Sequence, residues 1–218
     1  MFQAEGWWFP DGETHLIEWL QKNRYVLNGR NAYQAKKQVA AMHLCKSFGT
    51  AVDVGGHIGL WSYNLAHRFG VVHAFEPVAA HRECFARNVD LPNVSLHPFA
   101  LGQIEAAVAM HTAPTSSGDS WVKGDGDIPM RRLDDLHIPD VDFIKIDVEG
   151  YELYALRGAE ETLKRCHPVI CVEQKPGKAQ QFGLPETGAV SYLEGLGAKL
   201  RLTMSGDFFL SWDLVHAP

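Results

Sequence analysis

Residues 51–59, Ala51-Val52-Asp53-Val54-Gly55-Gly56-His57-Ile58-Gly59, constrain this chain more than any other stretch. A short apolar run ends in an acid, passes through a glycine-rich turn and enters a helix-like sequence. Glycine tolerates left-handed backbone and removes the Cβ that would block a close approach. A helix starting at such a turn presents free N–H groups to an electron-rich ligand. The arrangement implies a strand feeding a nucleotide-type site at the rim of an open α/β sheet. The turn alone does not select the ligand.

Further along, strand-like and helix-like stretches alternate. The pattern predicts helices over residues 13–27 and 32–48, ahead of the first strand at 51–54. A helix over 58–68, a strand over 71–75, a helix over 79–90 and strands over 94–101 and 104–112 are expected next. Residues 111–129 read as a polar, glycine- and serine-rich loop, and 132–136 as a short helix or turn. The run 141–146 is apolar on both faces, as a central parallel strand must be. A helix over 151–165, a strand over 169–172 and a helix over 187–196 follow. Two strands flanking Ser205-Gly206-Asp207 then close the chain as a hairpin. Such alternation implies a mostly parallel sheet with right-handed crossovers and helices on both faces. The closing antiparallel hairpin distinguishes it from an ordinary dinucleotide-binding domain. Residues 1–48 are expected to form a helical amino-terminal extension, and 49–218 the main domain.

Bulk composition excludes several classes. A chain of 218 residues that is 46% apolar and 21% charged has the length and make-up of one ordinary globular domain. Its net charge of −6 argues against a nucleic-acid binder, which needs a basic face. No apolar stretch is long enough to span a bilayer, and the amino terminus lacks the pattern of a signal peptide. Cys45, Cys84, Cys166 and Cys171 have no Cys-x-x-Cys or zinc-ribbon spacing, which suits reduced thiols in a cytoplasmic protein. None of the eleven histidines falls in a His-Glu-x-x-His arrangement, so no metal is expected from these patterns. His111 and His167 read as structural or solvent-facing. Trp7-Trp8-Phe9 is expected to pack onto the edge of the domain.

Six segments together resemble the FkbM family of S-adenosylmethionine-dependent methyltransferases. They are Asp53-Val54-Gly55-Gly56-His57-Ile58-Gly59-Leu60-Trp61-Ser62, Val72-His73-Ala74-Phe75-Glu76-Pro77, Pro98-Phe99-Ala100-Leu101-Gly102, Arg132-Leu133-Asp134-Asp135-Leu136, the stretch from Asp142 through Asp147-Val148-Glu149-Gly150-Tyr151-Glu152 to Leu156-Arg157-Gly158-Ala159, and Pro168-Val169-Ile170-Cys171-Val172-Glu173. They occur in the family's order. The family often carries alanine at the place of Gly56 and asparagine at that of His57. The resemblance implies a Rossmann-like class I methyltransferase fold with a seven-stranded sheet.

It also implies roles for particular residues. Glu76 lies about twenty residues beyond the turn, where dinucleotide folds place a ribose-binding acid. In this family it would accept the ribose hydroxyls of S-adenosylmethionine, with Pro77 fixing its turn. Gly55, Gly56 and Gly59 would face the methionine part. Asp53 can pair with the amine, or serve as a structural acid bonded to the turn; Asp147 can hold the same amine. His57 either contacts the cofactor carboxylate or caps the following helix. Ala100 and Leu101 would border the adenine.

Asp147, Glu149 and Glu173 are the catalytic candidates, gathered at one rim. Such carboxylates can act as a general base with a raised pKa. They can instead hold a divalent cation, or merely pair with Lys145 or Lys175. The implied reaction leaves S-adenosylhomocysteine and a methylated hydroxyl on a small molecule, sugar or glycan. A nicotinamide-dependent oxidoreductase and a non-catalytic S-adenosylmethionine-binding module are the alternatives. The loop over 113–130 is either a cover for the acceptor pocket or a solvated insertion.

Overall fold

The computed structural model describes residues 1–113 and 115–213. Its centre is a seven-stranded sheet. The strands are β1 (Thr50–Val54), β2 (Val71–Phe75), β3 (Val94–His97), β4 (Val141–Ile146), β5 (Val169–Glu173), β6 (Lys199–Met204) and β7 (Asp207–Ser211). They lie in the order β6-β7-β5-β4-β1-β2-β3. β1 to β5 are parallel, and β7 runs antiparallel to both β5 and β6. Ser205 and Gly206, both at positive φ, make the tight turn of that closing hairpin.

Alternate strand residues feed two cores, as the two-residue period of a strand requires. Val52, Val54, Ile144, Ile146, Ile170 and Val172 face one side. They meet α5 (Glu152–Arg157), α6 (Glu160–Cys166) and α7 (Gly188–Gly195) through Leu153, Leu156, Leu163 and Leu193. Ala51, Phe143, Val72, Cys171 and Phe209 face the other side, against α2 (Ala35–Leu44) and α3 (Leu60–Ala66). α4 (Ala79–Asn88) covers Ala74 with Phe85. Helices therefore pack on both faces, as the alternation implied. All four cysteines are free thiols.

Several expectations are corrected. The single helix over 151–165 is two, α5 and α6, because the chain breaks at Gly158-Ala159. A Cβ on Gly158 would stand 1.9 Å from the Gly102 carbonyl oxygen, so the two turns can touch only at a glycine. The strand expected over 94–101 is interrupted, and Ala100–Leu101 joins a second, four-stranded sheet. That sheet also takes up much of the supposed loop. Trp121–Asp125 pairs with Ala106–His111, which pairs with Ile128–Arg131. The half-exposed sequence of Trp121–Asp125, with its glycine and charges, hid an edge strand. Pro114, within the expected loop, lies outside the described residues, as do residues 214–218.

Before residue 49 the helices are shorter than read: α1 (His15–Lys22) and α2. Two short hairpins accompany them, Phe2–Ala4 with Trp7–Phe9 and Val26–Leu27 with Arg30–Asn31. Glu5-Gly6 and Asn28-Gly29, at positive φ, form their turns. Trp7 and Phe9 are fully buried among Leu16, Leu20, Ile58 and Leu60, so the aromatic cluster packs onto the domain as expected.

Asp134 explains one of the sequence motifs. Its carboxylate accepts hydrogen bonds from the Glu161 and Thr162 N–H groups and the Thr162 hydroxyl. It thereby caps α6 from outside the helix. Asp134→Ala is expected to cost about 1–2 kcal/mol of stability, the usual loss of a helix cap. Denaturant unfolding checks this, and Asp134→Asn should retain part of the capping.

Candidate active site

The carboxyl ends of β1, β2, β4 and β5 form one rim, and they bring Asp53, Glu76, Asp147 and Glu173 to the same edge. Two adjoining cavities open there. The first is lined by Asp53, Gly55, Gly56, Lys145, Asp147 and Glu149, among others. The second is lined by Glu76, Pro77, Ala100, Leu101, Val122 and Tyr151, among others. Gly55, His57, Gly118 and Asp147 belong to both walls, so the cavities are two chambers of one cleft.

The glycines of the turn serve packing first. Gly55 has φ +81, and a Cβ there would sit 2.1 Å from the Asp147 carbonyl oxygen. The turns after β1 and β4 can approach only because it is glycine. Gly59, expected at the cofactor, lines neither chamber. Its φ is +91, and a Cβ would come within 2.4 Å of Val89. It starts α3 and seats it against α4.

His57 does not cap the following helix with its side chain, and it lines both chambers. Its backbone N–H donates to Glu76 Oε2 at 2.8 Å. Its Nε2 lies 2.8 Å from the Ser117 hydroxyl, which donates to the buried Glu13 carboxylate at 2.5 Å. With the Ser117 hydroxyl hydrogen directed at Glu13, Nε2–H donates to the Ser117 oxygen. Burial holds the His57 imidazole well below its usual pKa, so the ring is neutral. Glu13 also takes the Ser117 N–H at 2.6 Å and the Leu16 N–H at 2.8 Å. Segment 115–119 is thus strapped over the glycine turn, and its Ser116, Ser117, Gly118 and Asp119 wall the chambers.

Glu76 is almost fully buried. Besides His57, it accepts from the Val78 N–H at 2.8 Å and lies 3.2 Å from His81 Nδ1. These bonds aim its carboxylate at the second chamber, and its four lone-pair directions leave capacity for further donors.

Asp53 is wholly buried. Its Oδ2 accepts from the Ser62 hydroxyl at 2.6 Å. Its Oδ1 has no hydrogen-bond donor among the described residues, though Lys145 Nζ stands 3.7 Å away. Its partners are therefore Ser62 and Lys145, and the turn N–H groups go instead to Phe75 and Glu76. Burial pushes the Asp53 carboxyl up, opposed by Lys145.

Lys145 also lies 3.5 Å from Asp147 Oδ2. Burial alone would depress its ammonium, but Asp147 and Asp53 outweigh that and keep it charged. Sequence reasoning treated Lys145 only as an ion-pair partner. A lysine between two isoleucines of a central strand is the clue, since a buried ammonium requires carboxylates around it.

Asp147, Glu149 and Glu173 present carboxylate oxygens within 4.8 Å of one another. Cations already sit against them. Lys175 Nζ is 2.7 Å from Glu173 and 3.2 Å from Glu149, and Lys178 Nζ is 2.8 Å from Glu149. The ion pairs weighed from the sequence are thus present. Glu149, at φ +55, is locked between two ammonium groups. Its turn is braced by Glu152, which accepts from the Gly150 N–H at 2.8 Å and the Val148 N–H at 3.2 Å. Asp147 and Glu173 differ sharply. Burial would raise Asp147, but Lys145 and Lys175 pull it down to about 2. Burial and the neighbouring Asp147 charge push Glu173 up to about 8. Their surroundings thus push the two neighbouring carboxyls apart, Asp147 down and Glu173 up.

Tyr33 was also not foreseen. Its ring packs edge-on against Trp19 at 4.7 Å, and it lines the first chamber beside Lys175. Burial, with Asp147 and Glu173 nearby, raises its hydroxyl above the usual range, so it stays a donor.

Comparison with known proteins agrees with this architecture. The model of the methyltransferase FkbM domain matches residues 53–205. A Beauveria bassiana (strain ARSEF 2860) protein named Methyltransferase 1 is 28% identical over 144 residues, 50% of this chain and 58% of that one. The structure of methyltransferase FkbM from Methylobacillus flagellatus KT superposes with a TM-score of 0.56 at 19% identity, over 90% of this chain and 50% of that one. SMU.1697c from Streptococcus mutans, in complex with SAH, superposes with a TM-score of 0.52 at 10% identity, over 81% of this chain and 94% of that one. The chain thus spans about half the length of the first two relatives. With most of its length matched by the domain model, this chain belongs to the FkbM methyltransferase family.

Proposed function

We propose that the chain transfers a methyl group from S-adenosylmethionine to a hydroxyl oxygen of a small-molecule or carbohydrate acceptor. Residues 49–218 would carry the methyl transfer, with residues 1–48 as an extension that lines one end of the cleft.

The residues present fit the cofactor. The orphaned Asp53 Oδ1 needs a donor, and a methionine amine supplies one where a pyrophosphate cannot. Asp53 and Asp147 would hold that amine, and Glu76 the ribose hydroxyls. Pro77, Ala100 and Leu101 would border the adenine. When bound, S-adenosylmethionine supplies a methyl carbon on cationic sulfur: the acceptor oxygen forms the new C–O bond as the C–S electron pair returns to sulfur.

The observation that carries oxygen as the acceptor is Glu173. It sits at the rim with its carboxylate within 4.8 Å of those of Asp147 and Glu149, and burial with the Asp147 charge raises its pKa. A carboxylate of raised basicity suits removal of a hydroxyl proton. Glu173 would take that proton at its carboxylate oxygen. Lys175 holds Glu173 in place, and Glu149 with Lys178 anchors the surroundings, so Glu149 acts as a positioning residue.

The test uses S-adenosylmethionine labelled in the methyl group and a panel of polyhydroxylated and phenolic compounds. The expected product shows the labelled methyl coupled across oxygen in its NMR spectrum, with S-adenosylhomocysteine released. Label on nitrogen, or none transferred to any member, would contradict the reading.

A further inference from the structure

Beyond the two chambers the cleft continues into a third space, an open groove of about 1510 Å³. It shares His15, Tyr33 and Lys175 with the first chamber and none of its lining with the second. The three spaces form a row. The proposed ribose site lies at one end, the proposed methyl site in the middle, and the groove at the other. Glu173 faces the groove. An acceptor that meets the methyl group from the side opposite the adenosine has to come through here.

The lining of the groove is unlike the chain as a whole. Asp and Glu outnumber Lys and Arg by 26 to 20 in the sequence. The groove instead collects Lys22, Arg24, Lys36, Lys37 and Lys175 against the carboxyl of Glu173. Lys37 is spent on Asp207, and Lys175 on Glu149 and Glu173. The outer three are available. Lys22 meets Glu18 at 3.4 Å between two exposed side chains, and the exposed Arg24 stands 3.9 Å from Glu5, a long contact; both hold weakly. Lys36 is exposed and has no carboxylate partner among the described residues. Aromatic side chains stand among these cations. Tyr25 is 46% exposed, and Trp19 with Tyr33 forms an inner wall.

The geometry points to this groove as the acceptor site, selecting a hydroxylated ring compound that carries a phosphate or a carboxylate. The inference rests on the methyl-transfer reading above. The ring lies against Tyr25 and Trp19, the anion meets Arg24 and Lys36, and the hydroxyl passes Tyr33 to reach Glu173. Arg24 offers a planar fork for two anionic oxygens, whereas Lys36 acts as a point charge. The cationic mouth also concentrates anions near the entrance.

The experiment uses matched probes: hexoses and phenols, each as the neutral parent, the carboxylate and the phosphate ester. Binding to the protein saturated with S-adenosylhomocysteine is followed by ligand-observed NMR, and turnover by S-adenosylhomocysteine release. Anionic members should bind at least tenfold more tightly than their neutral parents. The doubly reversed variant R24E/K36E, altered only at exposed positions, should erase that preference while retaining S-adenosylhomocysteine affinity. The carboxylate and phosphate arms tell which anion is preferred. Equal binding of neutral and anionic members, binding by no anionic member, or an unchanged preference in the variant would each overturn the inference. Failure of the methyl-transfer reading is read separately, as absent S-adenosylhomocysteine binding in the same samples; the probes are then titrated without it, and the same three outcomes decide.

Discussion

Glu173→Gln is expected to lower turnover by about 10²–10⁴-fold, the usual contribution of a general base, while leaving S-adenosylhomocysteine affinity nearly unchanged. Glutamine preserves the size of the side chain and can still accept from Lys175, but it cannot take a proton. The pH dependence gives an independent reading. The base must be ionised, so wild-type kcat/KM should rise with pH and level off above about 8, where Glu173 loses its proton. The variant should lose that rise. Stability moves the other way. Because the folded state raises this group from 4.5 to about 8, the native protein holds a proton that the unfolded chain releases. Its contribution is fully present below pH 4.5 and is lost as pH climbs through 8. Thermal unfolding of Glu173→Gln should therefore fall less between pH 5 and pH 8 than that of the wild type. Wild-type turnover in the variant would remove Glu173 from the chemistry.

Glu76→Ala should have the second large effect, on cofactor affinity. A hydrogen bond to a charged group contributes about 1.5–3 kcal/mol. Loss of even one ribose contact then weakens binding about 10- to 150-fold. The same carboxylate accepts the His57 and Val78 N–H groups, so alanine also loosens the turn itself. Glu76→Gln separates the two effects. Its amide oxygen can keep one backbone donor, while its NH₂ group no longer accepts from a ribose hydroxyl. Both variants should bind S-adenosylhomocysteine more weakly, with the glutamine variant the closer of the two to wild-type thermal stability. Unchanged calorimetric affinity in both would make Glu76 a brace for the turn and nothing more.

The central sheet was readable because its strands announce themselves twice. β4 places buried apolar residues on both faces, and β1 runs straight into a glycine turn. The carboxylate rim followed, since parallel strands end on one side. The closing hairpin was readable from Ser205-Gly206. The same logic applies to Asn28-Gly29 and Glu5-Gly6, but there the paired strands are only two or three residues long and carry no alternating pattern. The edge strand Trp121–Asp125 was hidden by its polar, glycine-containing sequence. Long-range contacts were beyond local pattern altogether. Nothing near Glu13 indicates that its carboxylate reaches Ser117, and nothing near Tyr33 indicates the mouth of the cleft. Gly55 and Gly59 were recognised as necessary, but for a ligand. The structure adds a packing reason, the crossing of Gly55 against the Asp147 carbonyl and of Gly59 against Val89.

Calorimetric titration with S-adenosylhomocysteine, set beside NAD, tests the central claim most directly. The chambers lined by Asp53, Asp147 and Glu76 should bind S-adenosylhomocysteine at one site per chain and give no heat with NAD. At about one hundred times the dissociation constant the ligand should stabilise the fold by roughly 2.7 kcal/mol. Saturable binding of NAD with none of S-adenosylhomocysteine would contradict the account.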